Sequence, residues 1–87
     1  MTDLAKAMTN LSPASHNLML DLVLDAPNWH GQPLIDITKE QRGNLSDLKR
    51  RGFLTTFMDE GCMFAIFTDV GVLFAATYAD VDLKSMM

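Results

Sequence analysis

Residues 38–68 read TKEQRGNLSDLKRRGFLTTFMDEGCMFAIFT, a helix pattern followed at once by a hairpin pattern. Thr38 and Gln41 form a capping-box pair, in which each side chain bonds the backbone N–H of the other at a helix start. Gly52 suits the position just past a helix end, and the basic residues before it favour the negative end of the helix dipole. The stretch therefore predicts a helix over residues 38–51.

Gly43 leaves an alternative open within this helix. A glycine in a helix interior costs about 1 kcal/mol relative to alanine, and Asn44 would suit the N-cap of a shorter second helix with Asp47 as its third residue. Leu45 and Leu48 nevertheless fall on one face, as they do in a single helix. We favour one continuous helix.

The second half of the stretch predicts a β-hairpin. Residues 53–58 and 62–68 are rich in aromatic and β-favouring side chains, and Asp59-Glu60-Gly61 lies between them. A three-residue loop with glycine at the position of positive φ is a common hairpin connection. We therefore expect two antiparallel strands that turn at these three residues.

The sequence before this stretch favours helices. Ser12 suits an N-cap and Pro13 the first helical position, and apolar residues recur at helical spacing from there to Asp25. The leucines between positions 18 and 24 also alternate as in a strand, but the Ser-Pro start and the length of the segment favour a helix. Residues 3–9 are a weaker and shorter helix candidate.

The remaining segments complete the order of elements. The proline and glycine content of residues 27–33 indicates a loop, and residues 34–37 are predicted to form a short third strand. A last helix begins at Thr68 or Asp69, and the residues from Asp80 onward form a loose tail. The apolar residues on one side of that helix are Val70, Leu73, Phe74 and Tyr78. The residues predicted to be least exposed are Leu45, Leu48, Phe64 and Leu73.

Length and composition indicate the class of protein. With 87 residues we expect one domain, covering residues 1–87. The sequence contains no apolar run long enough to span a membrane, and its first residues lack a basic segment followed by an apolar one. Cys62 is the only cysteine, so no internal disulfide can form. These features predict a cytoplasmic protein that does not enter a membrane.

Charge is unevenly distributed along the chain. The net charge is −4, yet five of the seven basic residues lie between positions 39 and 51, where only Glu40 and Asp47 oppose them. The protein is thus an acidic body with one basic helix. A basic helix that leads directly into a hairpin is the arrangement of a winged helix. The order of elements therefore predicts an α+β fold, namely a small winged-helix domain with a hairpin wing.

Two passages carry a resemblance to a known family. Residues 45–54, LSDLKRRGFL, resemble the end of the recognition helix in MarR-type regulators, where two leucines, a basic pair, a glycine and a hydrophobic residue lead into the wing. Residues 67–71, FTDVG, resemble the threonine-x-x-glycine that closes the wing and opens the next helix. The two passages lie within residues 38–76, under half of the chain. The resemblance implies a winged helix-turn-helix fold and DNA binding.

The chain departs from this family in two places. Between Asp25 and Thr38 there is little room for a separate first helix of the helix-turn-helix. Either the helix that begins at Ser12 takes that role, or the segment is abbreviated. The tip of the hairpin carries Asp59 and Glu60, where the family more often presents basic or neutral residues to phosphate.

The leading functional hypothesis is a DNA-binding regulator, expected to be a dimer on double-stranded DNA. Lysine and arginine side chains contact phosphates and guanine edges, and Gly43 lets the backbone approach closely. We select Arg50 for a base-edge contact. The predicted DNA-binding residues are Lys39, Arg42, Gly43, Ser46, Lys49 and Arg50 on the helix and Thr55 and Thr56 on the wing.

The alternative hypothesis is an acidic winged-helix module that binds a basic protein, for example a phage or mobile-element inhibitor of a host complex. Trp29 and His30 in the proline-rich loop and Asp59 and Glu60 at the hairpin tip are the candidate residues, since tryptophan is enriched at binding hot spots and carboxylates attract a basic partner. An exposed basic helix would favour the DNA hypothesis, and use of the acidic body would favour this one.

The sequence contains no motif that is typical of an enzyme active site. It contains no phosphate-binding glycine loop, no nucleophile elbow, and no His, Cys or carboxylate cluster at metal-ligand spacing. We therefore expect no enzyme activity, no metal and no cofactor.

Overall fold

Four α-helices and one antiparallel hairpin make up the computed structural model, which describes residues 3–86. Two short 3₁₀ helices, Ala26–Trp29 and Leu83–Met86, and a π-helical segment, Ala75–Ala79, complete it. The fold is α+β, as predicted, and its order is consistent with a winged-helix-like arrangement. The elements are α1 (Leu4–Met8), α2 (Pro13–Asp25), α3 (Gln41–Arg50), β1 (Leu54–Asp59), β2 (Cys62–Phe67) and α4 (Asp69–Phe74).

Helix α2 begins as predicted, because Ser12 caps it. The Ser15 backbone N–H donates to Ser12 Oγ at 3.1 Å, and Pro13 occupies the first helical position. The buried residues of α2 recur at helical spacing and face the core, whereas Leu24 is exposed. The strand alternative for this segment is therefore wrong.

Helix α3 is continuous through Gly43, as we favoured. The capping pair is present, since Thr38 N–H donates to Gln41 Oε1 at 3.0 Å and Gln41 N–H donates to Thr38 Oγ1 at 3.3 Å. Regular α-helix begins only at Gln41, because the Gln41 N–H also bonds the Thr38 carbonyl, at 3.1 Å, and closes a tighter first turn.

The hairpin is real, but its loop has two residues rather than three. Asp59 pairs with Cys62, so only Glu60 and Gly61 lie outside the strands. Both have positive φ, 52° and 82°. Two consecutive left-handed residues form the type I′ turn, whose twist matches that of the flanking strands.

The predicted third strand is reduced to a single bridge. Leu34 pairs with Phe64 through two hydrogen bonds: the Ile35 N–H donates to the Met63 carbonyl at 2.8 Å, and the Ala65 N–H donates to the Pro33 carbonyl at 3.0 Å. Within residues 3–86, α3 is the only helix between Leu34 and the hairpin. Helix α2 packs against α3, so the helix that begins after Ser12 takes the neighbouring position, the first of the two alternatives.

The core prediction is half correct. Leu45 and Leu48 are buried, but Phe64 is half-buried and Leu73 is 40% exposed. Phe64 points away from the core because the inward face of β2 carries its alternate residues. On α4 the inward side is that of Phe74 instead. The largest fully buried hydrophobic residues are Met19, Val23, Leu48, Phe53, Leu54, Phe74 and Leu83.

The C-terminal segment is not a loose tail. Leu83 is fully buried at the start of the last 3₁₀ helix, and the Val81 N–H donates to the Ala75 carbonyl at 3.1 Å. Asp80, at φ 54°, ends the π-helical segment and turns the chain back onto the core. Burial of Leu83 therefore orders residues that have no strong helix or strand pattern.

Thr68 and Gly71 join α4 to the start of the hairpin. Thr68 Oγ1 accepts from the Gly71 N–H at 3.2 Å as the N-cap of α4, and its hydroxyl lies within hydrogen-bond distance of the Gly52 and Phe53 carbonyls. A Cβ atom at Gly71 would overlap the Phe53 carbonyl oxygen. The threonine-x-x-glycine passage thus has a packing reason in this chain.

Candidate nucleic-acid interface

The exposed face of α3 carries the predicted DNA-contacting residues. Leu45 and Leu48 anchor the opposite side of the helix in the core. A Cβ atom at Gly43 would meet nothing within 4 Å, so packing does not require the glycine there. The exposed residues here are Arg42, Gly43, Ser46, Lys49 and Arg50 on α3 and Lys39 in the turn that precedes it. We refer to them as the α3 basic face.

The cations of the α3 basic face differ in their partners. Arg50 forms an ion pair with Asp47, from Nη2 to Oδ1 at 2.5 Å, and its side chain stays 78% exposed. Lys39, Arg42 and Lys49 form no ion pair within the part of the chain that the structure describes. These three charges are therefore available to an external anion.

Arg51 is a structural residue, although it belongs to the basic run 49–51. Its side chain is only 17% exposed. Its Nη1 donates to the Ala7 carbonyl at 2.9 Å and its Nη2 to the Asn10 carbonyl at 3.1 Å, which ties the end of α1 to the end of α3. The sequence could have predicted this burial, because Arg51 lies three residues after Leu48 and hence on the buried side of the helix.

Asp47 links these interactions. Its Oδ2 accepts from Arg51 Nε at 2.9 Å and lies 3.2 Å from the hydroxyl of the buried Ser15 on α2. Burial raises the pKa of Asp47, but hydrogen bonds from Arg51, Arg50 and Ser15 together outweigh it, so the pKa lies below its ordinary value. Asp47 is thus a charged residue that holds α3 to both α1 and α2.

A groove of about 480 Å³ runs beside the α3 basic face. Its apolar lining comes from the segment that follows Leu34, from β2 and from α3, and two unpaired cations of the basic face border it. Apolar surface beside cations can contact thymine methyl groups while the charges bind phosphate. The lining residues are Ile35, Asp36, Ile37, Arg42, Leu45, Ser46, Lys49 and Met63.

The hairpin does not extend the basic face as predicted. Thr55 and Thr56 point to opposite faces of the hairpin, because side chains alternate along a strand. Thr56 is half-buried opposite Ala65, on the face that turns toward α3. Thr55 is exposed on the other face, away from α3. Residues 54–67 also contain no lysine or arginine, so this wing brings no positive charge to phosphate.

The four residues predicted for protein binding are all exposed, and two of them border one surface. The Trp29 ring packs edge-on against Phe64, with centroids 5.8 Å apart, and Phe64 stacks on Phe57 at 5.5 Å. Asp59 lies on the same outward face of the hairpin, two residues from Phe57. Glu60 lies in the turn and His30 follows Trp29, and both are exposed.

Phe57 and Phe64 join this surface, although Phe64 was predicted to be among the least exposed residues. Strand β2 is apolar on both faces, so its sequence does not show which face turns outward. We call Trp29, Phe57, Phe64 and Ile66 the outer hairpin patch. Cys62 lies on the same face and is exposed.

Other classes of site find no support among residues 3–86. No three His, Cys, Asp or Glu side chains there come together in a group that could hold a metal ion. No helix in this range is long and apolar enough to cross a membrane. Comparisons with protein-family models, curated proteins and solved structures give no match for this chain.

Proposed function

We propose that this protein binds double-stranded DNA with the α3 basic face and acts as a small DNA-binding regulator. The observation that carries the proposal is the separation of charge on α3. Its buried side anchors the helix through Leu45 and Leu48, and its exposed side presents Lys39, Arg42 and Lys49 without carboxylate partners. In an acidic protein, this is the surface that suits a polyanion.

Helix α3 would lie in the major groove with its basic face toward the DNA, as recognition helices do. Gly43 lets the helix backbone approach, and Ser46 lies at the centre of the face. Lys39 is a phosphate contact in this arrangement. Arg50 remains the candidate for a guanine edge, because Asp47 restricts its guanidinium and leaves further N–H donors exposed.

One copy of α3 offers few phosphate contacts, and the hairpin adds no cations to them. We therefore propose that a dimer binds two half-sites. Two recognition helices about one DNA turn apart, roughly 34 Å, would double the contacts. The salt dependence of binding would double with them.

The test is fluorescence anisotropy with a duplex selected from a random library, compared with random duplex at several salt concentrations. The variant K39A/K49A removes two charges from the basic face. The variant K6A/K84A removes two exposed charges elsewhere and is the matched control. We expect the first to weaken binding and to lower the log–log salt slope by about 1.8 per subunit, and the control to leave both nearly unchanged.

Two outcomes would contradict the proposal. Equal losses in both variants would mean that total charge, rather than the α3 basic face, attracts DNA. If no duplex binds more tightly than random DNA even at low salt, sequence-specific regulation is wrong.

A further inference from the structure

We propose that the outer hairpin patch is a docking surface for a basic protein segment, one that carries an apolar side chain next to a lysine or arginine. The patch lies on the face of the hairpin that points away from α3. The inference therefore concerns a second surface and does not depend on DNA binding.

The aromatic part of the patch is ordered before any partner arrives. Phe64 holds Phe57 by stacking on one side and Trp29 by an edge contact on the other. The Trp29 indole N–H is fixed as well, because it donates to Asp25 Oδ2 at 2.9 Å. Rings held in this way lose little conformational entropy on binding, which favours them as contact residues.

Folding covers this surface only in part: Phe57 and Phe64 are half-buried, and the other two patch residues are exposed. Trp29 is 39% exposed and Ile66 is 37% exposed, although the core buries many smaller residues completely. Contiguous exposed apolar patches with a polar rim are typical of interaction sites.

The charges around the patch specify the chemistry of the partner. Asp59 shares the outward face with Phe57, Glu60 follows in the turn, and Asp25 lies under Trp29. Residues 54–67 contain no cation. Carboxylates and aromatic ring faces both attract a lysine or arginine side chain. An acidic segment, or DNA itself, would be repelled here.

The outer hairpin patch and the α3 basic face lie on opposite sides of the hairpin. Met63 on the inward face lines the groove beside α3, while Phe57, Phe64 and Ile66 point the other way. A basic partner on the patch would therefore leave the α3 basic face free. One protein could then hold a polyanion and a basic protein at the same time.

The chain supplies its own reporters for this surface. Trp29 is the only tryptophan and Cys62, on the same face, is the only cysteine. The probes are two synthetic peptides of equal length, one alternating lysine and leucine and one alternating glutamate and leucine. We expect a saturable change in Trp29 fluorescence and slower alkylation of Cys62 with the lysine peptide, and neither change with the glutamate peptide.

Matched variants separate the patch from general charge attraction. D59N/E60Q and D80N/D82N remove the same charge, and only the first pair borders the patch. We expect D59N/E60Q to weaken peptide binding by roughly three- to tenfold and D80N/D82N to leave it nearly unchanged. F57L keeps an apolar side chain but removes one ring, and we expect a similar loss from it.

Equal weakening by the two charge variants would overturn the inference, as would unchanged Cys62 alkylation at saturating lysine peptide. Circular dichroism melts of D59N/E60Q show whether a loss of peptide binding reflects unfolding. If F57L does not fold, D59N/E60Q still tests the inference, because its substitutions preserve the shape of the side chains. K39A/K49A distinguishes the two proposals, because it should impair DNA binding and leave peptide binding intact.

Discussion

Arg51 and Asp47 form an ion pair, with Arg51 Nε donating to Asp47 Oδ2 at 2.9 Å, and both side chains are mostly buried. The same guanidinium bonds backbone carbonyls at the end of α1, and the same carboxylate accepts from Arg50. The end of α3 therefore combines a structural arginine and a solvent-facing arginine on one carboxylate.

Replacing Arg51 with alanine should destabilise the protein by about 2–4 kcal/mol, because it removes one donor from Asp47 and the guanidinium donors from the carbonyls at the end of α1. Arg51→Lys should recover little of this, since an ammonium cannot reach several acceptors as the planar fork does. Urea denaturation measures the change. Arg50→Ala is the control and should cost less than about 1 kcal/mol, because that pair is largely exposed. Equal costs for the two arginines would contradict this division of roles.

Stability should fall in acid partly through Asp47. The pKa of Asp47 in the folded protein is lowered from the ordinary value of 3.8. The stability that the ionised carboxylate contributes is therefore fully present above pH 3.8, and it is lost as the pH falls through the pKa of the folded protein. Urea midpoints measured from pH 6 to pH 2 test this. Asp47→Asn should be less stable than wild type at pH 6, and the difference should shrink toward pH 2. A difference that stays constant over this range would show that Asp47 protonation is not involved.

Two glycines should respond in opposite ways to alanine. Gly43→Ala should stabilise the fold by about 0.5–1 kcal/mol, because the position is an exposed helix interior with open space around the new methyl group. Gly71→Ala should destabilise it by about 1–3 kcal/mol or more, since the methyl group would overlap the Phe53 carbonyl oxygen. Thermal melts of both variants give the comparison. If α3 lies close to DNA at Gly43, the stabilised variant should also bind duplex less tightly.

Arg50 and Lys39 should differ in how they affect DNA binding. Arg50→Ala should cost about 1–3 kcal/mol at one base pair and relax the preference there, as loss of a base-edge contact does. Lys39→Ala should weaken binding to all duplexes alike and reduce the salt slope by about one. Anisotropy titrations with the selected duplex and its single-base variants separate the two patterns. A uniform loss from Arg50→Ala would assign Arg50 to phosphate instead.

The sequence alone was enough to identify the starts of α2 and α3, the hairpin and the exposed face of α3. Helix starts and turns depend on residues a few positions apart, so Ser12 with Pro13 and Thr38 with Gln41 identify the beginnings of two helices. The α3 face follows from the same kind of local information. Its two buried leucines lie one helical turn apart, and the charged residues occupy the remaining positions.

Tertiary packing, and not local sequence, selects which apolar residues of the hairpin and of α4 face the core. Strand β2 is apolar on both faces. Whether Phe64 or its neighbours are buried depends on which of these faces packs toward α3, and the sequence of the strand does not show this. Likewise Phe74 rather than Leu73 is buried, because Gly71 allows that side of α4 to approach the backbone at Phe53. Arg51 became structural for a related reason. Its acceptors belong to residues near the N-terminus, and only packing of α1 against the end of α3 brings them within reach.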